Sequence, residues 1–204
     1  MIIFFKSEKI SSNVTHLTFD YYFNQPINDF IPSSITHLTF GHHFNQSVNS
    51  CIPSTVTHLI FGTNFDQCIY GDCIPSSVTH LTFGFYFDRP VYNSIPSNVA
   101  HLIFGYNFNQ PINKTCVPTS VTHLTFGNKF NNPINNFIPE SVTHLTFGDN
   151  FNQPIKGFIP WSVTHLTFGW WFNQFIDEFI FNESIHLTMS SNYRKHGYYH
   201  NIHI

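Results

Sequence analysis

Residues 138–155 read IPESVTHLTFGDNFNQPI, and versions of this stretch fill most of the 204-residue chain. A His-Leu pair at its centre recurs at intervals of 21 or 22 residues. The nine recurring histidines are His16, His37, His58, His80, His101, His123, His144, His165 and His186. So short and regular a period indicates nine copies of one unit stacked along an axis, because a single unit of this length cannot bury its own core.

Apolar residues keep fixed places within the unit and predict which side chains face the core. Sixteen of the twenty-five phenylalanines fall into two rows. The first row is Phe19, Phe40, Phe61, Phe83, Phe104, Phe126, Phe147 and Phe168, and the second is Phe23, Phe44, Phe65, Phe87, Phe108, Phe130, Phe151 and Phe172. In His-Leu-Thr-Phe polar and apolar residues alternate, which predicts a short strand with Leu and Phe inward and His and Thr outward.

The positions of glycine and proline predict where each strand ends and what structure the rest of the unit has. A glycine follows seven of the nine predicted strands and is expected to end them, with Asp20 in this place in the first unit. Recurring prolines exclude a regular helix from the return path. The sequence therefore predicts a leucine-rich-repeat-like solenoid. We expect a curved parallel β-sheet of about nine short strands on the concave face, Pro-rich turns and extended return segments on the convex face, and little α-helix.

The pattern Phe-Gly-x-x-Phe-Asn-Gln-Pro-Ile followed by Ile-Pro resembles the signature of FNIP-repeat proteins. This leucine-rich-repeat-like family is expanded in social amoebae and in large DNA viruses of protists. The array would occupy residues 10–189, with an N-terminal cap at 1–9 and a C-terminal cap or tail at 190–204. Some family members carry an F-box, which implies ubiquitin-ligase adaptor work. Nine preceding residues cannot form an F-box, so we do not carry that role over.

The asparagine of this signature forms a column of its own. It comprises Asn24, Asn45, Asn109, Asn131, Asn152 and Asn173, with Asp66 and Asp88 as substitutes. A buried amide can satisfy backbone groups of a turning chain. We therefore expect a buried amide column that bridges adjacent coils and has a structural role.

Charge, apolar runs and motifs exclude several classes of function. The net charge is −3 with histidine neutral, so no basic field is present to hold nucleic acid. No apolar run is long enough for a membrane helix or a signal-peptide core, so we expect a cytoplasmic protein (host-cell cytoplasm if viral) without membrane partners. No nucleophile–base set or phosphate-binding glycine loop stands out, which argues against an enzyme and against a cofactor.

The histidine column is the first candidate site. On the concave face the imidazoles should stack on strands about 4.8 Å apart, beside a threonine column. His80, His101, His123 and His144 lie in the middle of this ladder. One interpretation is a partner-binding and structural ladder, and the alternative is metal binding, since imidazole is a common metal ligand. Ligands on one line do not converge on a tetrahedral centre, so we assign no metal ligands.

The two residues between the glycine and the second phenylalanine form the second candidate site, because they vary most between units. Aromatic residues are frequent among them, namely Tyr21, Tyr22, Phe85, Tyr86, Tyr106, Trp170 and Trp171. Tyr and Trp are common interface anchors. These rings either form a binding rim or only pack over neighbouring turns. We predict a non-enzymatic protein-interaction scaffold for an unidentified host or cellular protein, and the end strands leave self-association open.

Three of the four cysteines, Cys51, Cys73 and Cys116, share one place in the unit. Cys51 and Cys73 belong to neighbouring coils, close enough for a disulfide. In a reducing compartment we expect them to be small buried apolar residues instead.

Overall fold

The computed structural model describes residues 2–3, 10–176 and 185–189, which form one ten-stranded parallel sheet in chain order. The strands are β1 (Ile2–Ile3), β2 (His16–Phe19), β3 (His37–Thr39), β4 (His58–Ile60), β5 (His80–Thr82), β6 (His101–Ile103), β7 (His123–Thr125), β8 (His144–Thr146), β9 (His165–Phe168) and β10 (His186–Met189). Nine of them are the predicted strands. The predicted leucine-rich-repeat-like solenoid is confirmed.

The register of the sheet places equal residues of successive units side by side. Between β7 and β8, His123 pairs with His144 and Leu124 pairs with Leu145. The sheet contains one strand more than the nine predicted. This additional strand is β1, whose Ile2 pairs with Thr18 of β2. The predicted caps otherwise lie outside the described residues, as does 177–184 of the predicted array.

The return segments consist of turns and extended chain, as the prolines predict. Within the described ranges, helical structure is limited to one 3-10 turn over Gly71–Cys73, in a unit that is one residue longer. No helix in this part of the chain is long and apolar enough to cross a membrane.

The core is continuous from coil to coil, and both phenylalanine rows lie inside it. Every ring in the two rows is at most 3% exposed. Within one coil the two rings stack closely, with ring centroids of Phe104 and Phe108 4.0 Å apart. Phe104 also stacks on Phe126 of the next coil at 5.6 Å. Aromatic stacking therefore runs both within and between coils, so each coil depends on its neighbours for burial.

The spacing between coils increases from the sheet surface into the core. Stacked histidines on the sheet surface have centroids 4.0–4.3 Å apart. The first phenylalanine row has spacings of 5.3–5.7 Å and the second 6.1–6.3 Å. Each coil is thus a wedge, and the histidines lie on the concave side, as predicted.

The glycine column follows the strands, as predicted, and has a second role that was not predicted. A Cβ atom added at Gly105 would lie 1.7 Å from the backbone oxygen of Gly84 in the preceding coil. A Cβ atom added at Gly41 would lie 1.8 Å from the backbone oxygen of Asp20. These glycines let successive coils approach each other closely, in addition to following the strand.

Candidate functional site

The outward side chains of the strands build a polar face, which we call the His/Thr face. It consists of the outward histidines of β2–β10 and the residue two places after each of them. Consecutive imidazoles from His16 to His165 stack with ring planes 6–15° apart. His80, His101, His123 and His144 are half-buried in the middle of this ladder. The stacking predicted from the sequence is therefore present.

A second threonine, directly before seven of the nine ladder histidines, orients the imidazole. The Oγ1 of Thr122 lies 2.9 Å from Nδ1 of His123, and the same contact at 2.9–3.0 Å occurs in six other units. At His101 the preceding residue is Ala100, so this unit has no such hydroxyl. The sequence analysis did not foresee this contact, although the recurring Thr-His pair was its visible signal.

The ladder lowers the basicity of its own members. The pKa values of His37, His80, His123 and His144 are lowered, first by burial and second by repulsion from neighbouring ladder histidines. Both causes disfavour the charged imidazolium. The electrostatic neighbours that act on these four rings are all histidines of the same column.

Metal ligation finds no support in the geometry of the ladder. Among the residues that the structure describes, no three His, Cys, Asp or Glu side chains are grouped so that they could hold a metal ion. Rings stacked face to face direct their nitrogens along parallel lines rather than toward one centre, whereas a metal site needs convergent ligands.

The variable pair of each unit forms an exposed border along the sheet, which we call the rim. Its aromatic members Tyr21, Tyr22, Phe85, Tyr86, Tyr106, Trp170 and Trp171 are 40–75% exposed. Rings of adjacent coils stack, for example Phe85 on Tyr106 at 4.5 Å and 6°. These rings therefore pack over neighbouring turns and still present large surfaces to solvent, while the binding role of the rim stays a prediction.

The rim carries separate aromatic blocks. In the first two coils Tyr21 stacks on His42 at 4.5 Å and Tyr22 stacks on His43 at 5.4 Å. Phe85, Tyr86 and Tyr106 form a central block. A polar stretch follows, where Asn128 donates a hydrogen bond to Asp149. The backbone N–H of Trp170 also donates to Asp149, at 3.2 Å, next to the exposed Trp171.

Two isoleucines interrupt the polar face beside the central block. Ile60 and Ile103 replace threonine on β4 and β6 and are 44% and 42% exposed. Thr82 of β5 lies between them in register. The middle of the array therefore combines imidazoles, exposed aliphatic groups and stacked aromatic rings.

The amide column bridges coils as predicted, but it is not buried. The backbone N–H of Asn152 donates to Oδ1 of Asn131 at 2.9 Å, and Gln153 Nε2 donates to the same oxygen at 3.0 Å. The Asn and Asp members range from half-buried to exposed. The prediction of burial was wrong because these side chains bind backbone groups at the border of the coil, where water also reaches them.

The four cysteines lie outside the His/Thr face. No disulfide joins them within the described ranges, which contain all four, and burial raises the pKa of the Cys116 thiol.

The return side of the array carries a groove. Return segments of three coils form this groove of about 450 Å³. Lys114 and Phe158 line it, together with Trp161, which is 72% exposed.

Comparison with solved structures gives a close relative. CroV588, from a giant virus (CroV), is described as a novel circular LRR protein. It is 46% identical to this chain with a TM-score of 0.86 over 91% of the chain. The chain spans 28% of the length of that protein chain. No match is found among curated proteins.

The repeat itself matches a family model. The model described as FNIP Repeat matches residues 5–43, 44–86, 87–129 and 130–170, and each match spans two of the coils. Repeat solenoids of this type present extended surfaces that commonly serve as protein-interaction scaffolds. Together with the wedge-shaped coils and the Phe-Gly-x-x-Phe pattern, these matches show that the chain belongs to the FNIP-repeat family.

Proposed function

We propose that this chain is a non-enzymatic scaffold that binds a protein partner through the rim and the adjoining His/Thr face. The exposure of the rim aromatics supports this most directly, because the phenylalanines of the two rows in the same coils are buried almost completely. Exposed aromatic rings held rigidly by stacking are suitable interface anchors, since little side-chain entropy is lost when they bind.

The partner is a cellular protein met in the cytoplasm. The central block is the place where we expect the anchor of the interface, because the stacked Phe85 and Tyr106 are exposed and Ile103, in the same unit as Tyr106, is exposed too. The charge balance of −3 argues against nucleic acid as the partner.

The test compares variants that differ only in the surface they alter. Biotinylated wild-type chain, Phe85→Ala/Tyr106→Ala and the return-side control Trp161→Ala are used to recover partners from a cell lysate, with quantitative mass spectrometry. We expect a specific partner to be recovered by wild type and control and to fall at least about tenfold with the rim variant, as for loss of an interface hot spot. Equal recovery by all three would contradict the proposal. Melting curves of the three proteins establish that each is folded.

A further inference from the structure

The hydrogen bonds of the ladder determine which imidazole nitrogen carries the proton. The Oγ1 of Thr36 lies 2.9 Å from Nδ1 of His37 and 3.2 Å from the backbone oxygen of Thr15. That oxygen already accepts the N–H groups of Thr36 and His37 at 2.8 and 3.0 Å. The Thr36 hydroxyl donates its single proton to that oxygen, so the contact with His37 is a hydrogen bond only if Nδ1–H donates to Oγ1. The neutral ring then carries its hydrogen on Nδ1, and Nε2 is the nitrogen that gains a proton.

The same arrangement repeats along the array. Thr57, Thr122 and Thr143 place their hydroxyls in the same way, with 2.9 Å to the imidazole and 3.2 Å to a backbone oxygen of the preceding coil. Because the rings are nearly parallel and 4.0–4.3 Å apart, their Nε2 atoms form a regular row on the concave side, and each becomes a donor when its ring is protonated.

The row suits an acceptor that is negative and has two oxygens. A carboxylate can accept from two imidazoles on adjacent strands, and hydrogen bonds to an ionised acceptor are stronger than neutral ones. Neither column of the His/Thr face contains an acidic or a Lys or Arg side chain in the described strands. The charged groups closest to the ladder along the chain are Asp20, Lys129 and Asp149 of the loops that follow the strands.

Protonation of the ladder and binding of an anion support each other. An added proton on Nε2 gives an imidazolium whose charge is repelled by charged neighbours, and a carboxylate between two rings offsets that repulsion. Binding must then take up protons, because linkage between two ligands is reciprocal.

We infer that the ladder is a proton-linked binding site for an acidic segment of the protein partner, one that also carries apolar residues. This inference rests on the proposed scaffold function and specifies the chemistry of its partner. The apolar requirement comes from Ile60 and Ile103, which are exposed within the ladder region, and from the adjoining stack of Phe85 and Tyr106. A uniform phosphate backbone would leave these groups without partners, so the surface favours a peptide.

The experiment uses a fluorescein-labelled peptide of alternating Glu and Leu and measures anisotropy with the full chain. Between about pH 7.5 and about pH 5.5, the range in which histidine gains its charge, we expect the Kd to fall at least about tenfold. Calorimetry in buffers of different ionisation enthalpy should show proton uptake on binding. A Glu/Ser peptide of equal charge should bind more weakly, and a Lys/Leu peptide should not bind.

Variants assign the site. His80→Asn/His123→Asn should remove most of the pH dependence of the Kd. The single variant His101→Gln, at a ring that lacks the threonine hydroxyl, should remove a smaller part of it. Circular dichroism at both pH values checks folding. Absent binding, pH-independent binding, or equal binding of an oligonucleotide of the same charge would overturn the inference. If the peptide fails while partner recovery still depends on Phe85 and Tyr106, only this inference fails; loss of that dependence would overturn the proposed function.

Discussion

The first coil and the central coils share one sequence pattern but not one environment. Val14 of the first coil is only partly buried, whereas its counterpart Val121 is fully buried. His16 is exposed and stacks on one described ring of the ladder, whereas His123 is half-buried between two. Equivalent residues thus differ in how many coils cover them. Stability in this array therefore lies at the contacts between coils, and the following experiments test that conclusion.

The largest expected difference concerns the phenylalanine rows. Phe126→Ala should lower the free energy of unfolding by about 3–5 kcal/mol, because it leaves a cavity in a fully buried site. Among the described residues, Phe126 stacks on Phe104 and Phe147 of both neighbouring coils, whereas Phe19 stacks on Phe40 of the following coil. Phe19→Ala should therefore cost less. Urea unfolding measures both losses, and equal values would contradict the comparison.

The glycine column gives the second test. Gly105→Ala should destabilise by about 3 kcal/mol, because overpacking forces the backbone to shift and the added Cβ would meet a backbone oxygen. Asp20→Ala in the first coil should cost about 1 kcal/mol, the loss of one hydrogen bond from the Tyr22 N–H to the Asp20 carboxylate. Thermal and urea unfolding compare the two. A Gly105→Ala protein as stable as wild type would disprove the role of close approach.

Acid should affect the middle of the ladder more than its first member. Because the folded-state pKa values of His37, His80, His123 and His144 are lowered, the unfolded chain binds protons more readily. Stability should be constant above neutrality, fall below about pH 6.5 and level off only below the folded pKa values.

Urea unfolding between about pH 8 and about pH 5, the range that spans histidine titration, measures this loss. His123→Asn/His144→Asn should flatten the profile, and His16→Asn should change it less, since its ring is exposed to solvent. Added salt should reduce the part caused by repulsion. Parallel loss in wild type and the double variant would show that the ladder does not control the acid response.

A smaller effect is expected at the unit of His101, where Ala100 stands in place of the threonine that contacts most ladder histidines. Ala100→Thr should stabilise the protein by about 0.5–1.5 kcal/mol, the value of one hydrogen bond, by providing His101 with the contact that its neighbours have. The backbone already matches, since the Ala100 oxygen accepts from Thr122 and His123 as Thr oxygens do in other coils. Differential scanning calorimetry measures the gain. An unchanged melting temperature would show that the hydroxyl does not stabilise the ladder.

The smallest effect is expected at the rim near the other end of the array. Trp170→Ala/Trp171→Ala should change stability by less than about 1 kcal/mol, because both rings are largely exposed and surface changes are usually small. The melting temperature measures this. Loss of several kcal/mol would instead indicate that these rings cover the core of the last coils.

The sequence predicted those features that a strict period determines. Once Leu124 and Phe126 are assigned to the core, the alternation of a strand places His123 outside, and equal spacing places it beside His144. What it could not determine were distances between coils. The close contact at Gly105 and the ring stacking at Phe85 depend on how tightly two coils approach, and one unit's pattern does not contain that distance.

The sequence predicted the residues of the candidate site but not the contacts between its coils. The rim residues were identified from variation between units, as with Trp170 and Trp171, and their exposure follows from their place outside the apolar columns. Which imidazole nitrogen faces the partner depends on a threonine hydroxyl and a carbonyl of another coil, as for His37 and Thr15. Contacts of this kind require coordinates.

The wedge shape of the coils has a consequence for the curvature of the array. Ladder histidines of neighbouring coils have ring centroids 4.0–4.3 Å apart, whereas rings of the second phenylalanine row are 6.1–6.3 Å apart, so the array bends into an arc around the His/Thr face. The difference in bulk between imidazole on the inside and paired phenylalanines behind it sets the radius of that arc. Exchanging one phenylalanine for a smaller apolar residue should therefore flatten the arc at that coil, in addition to the loss of stability expected for such a change.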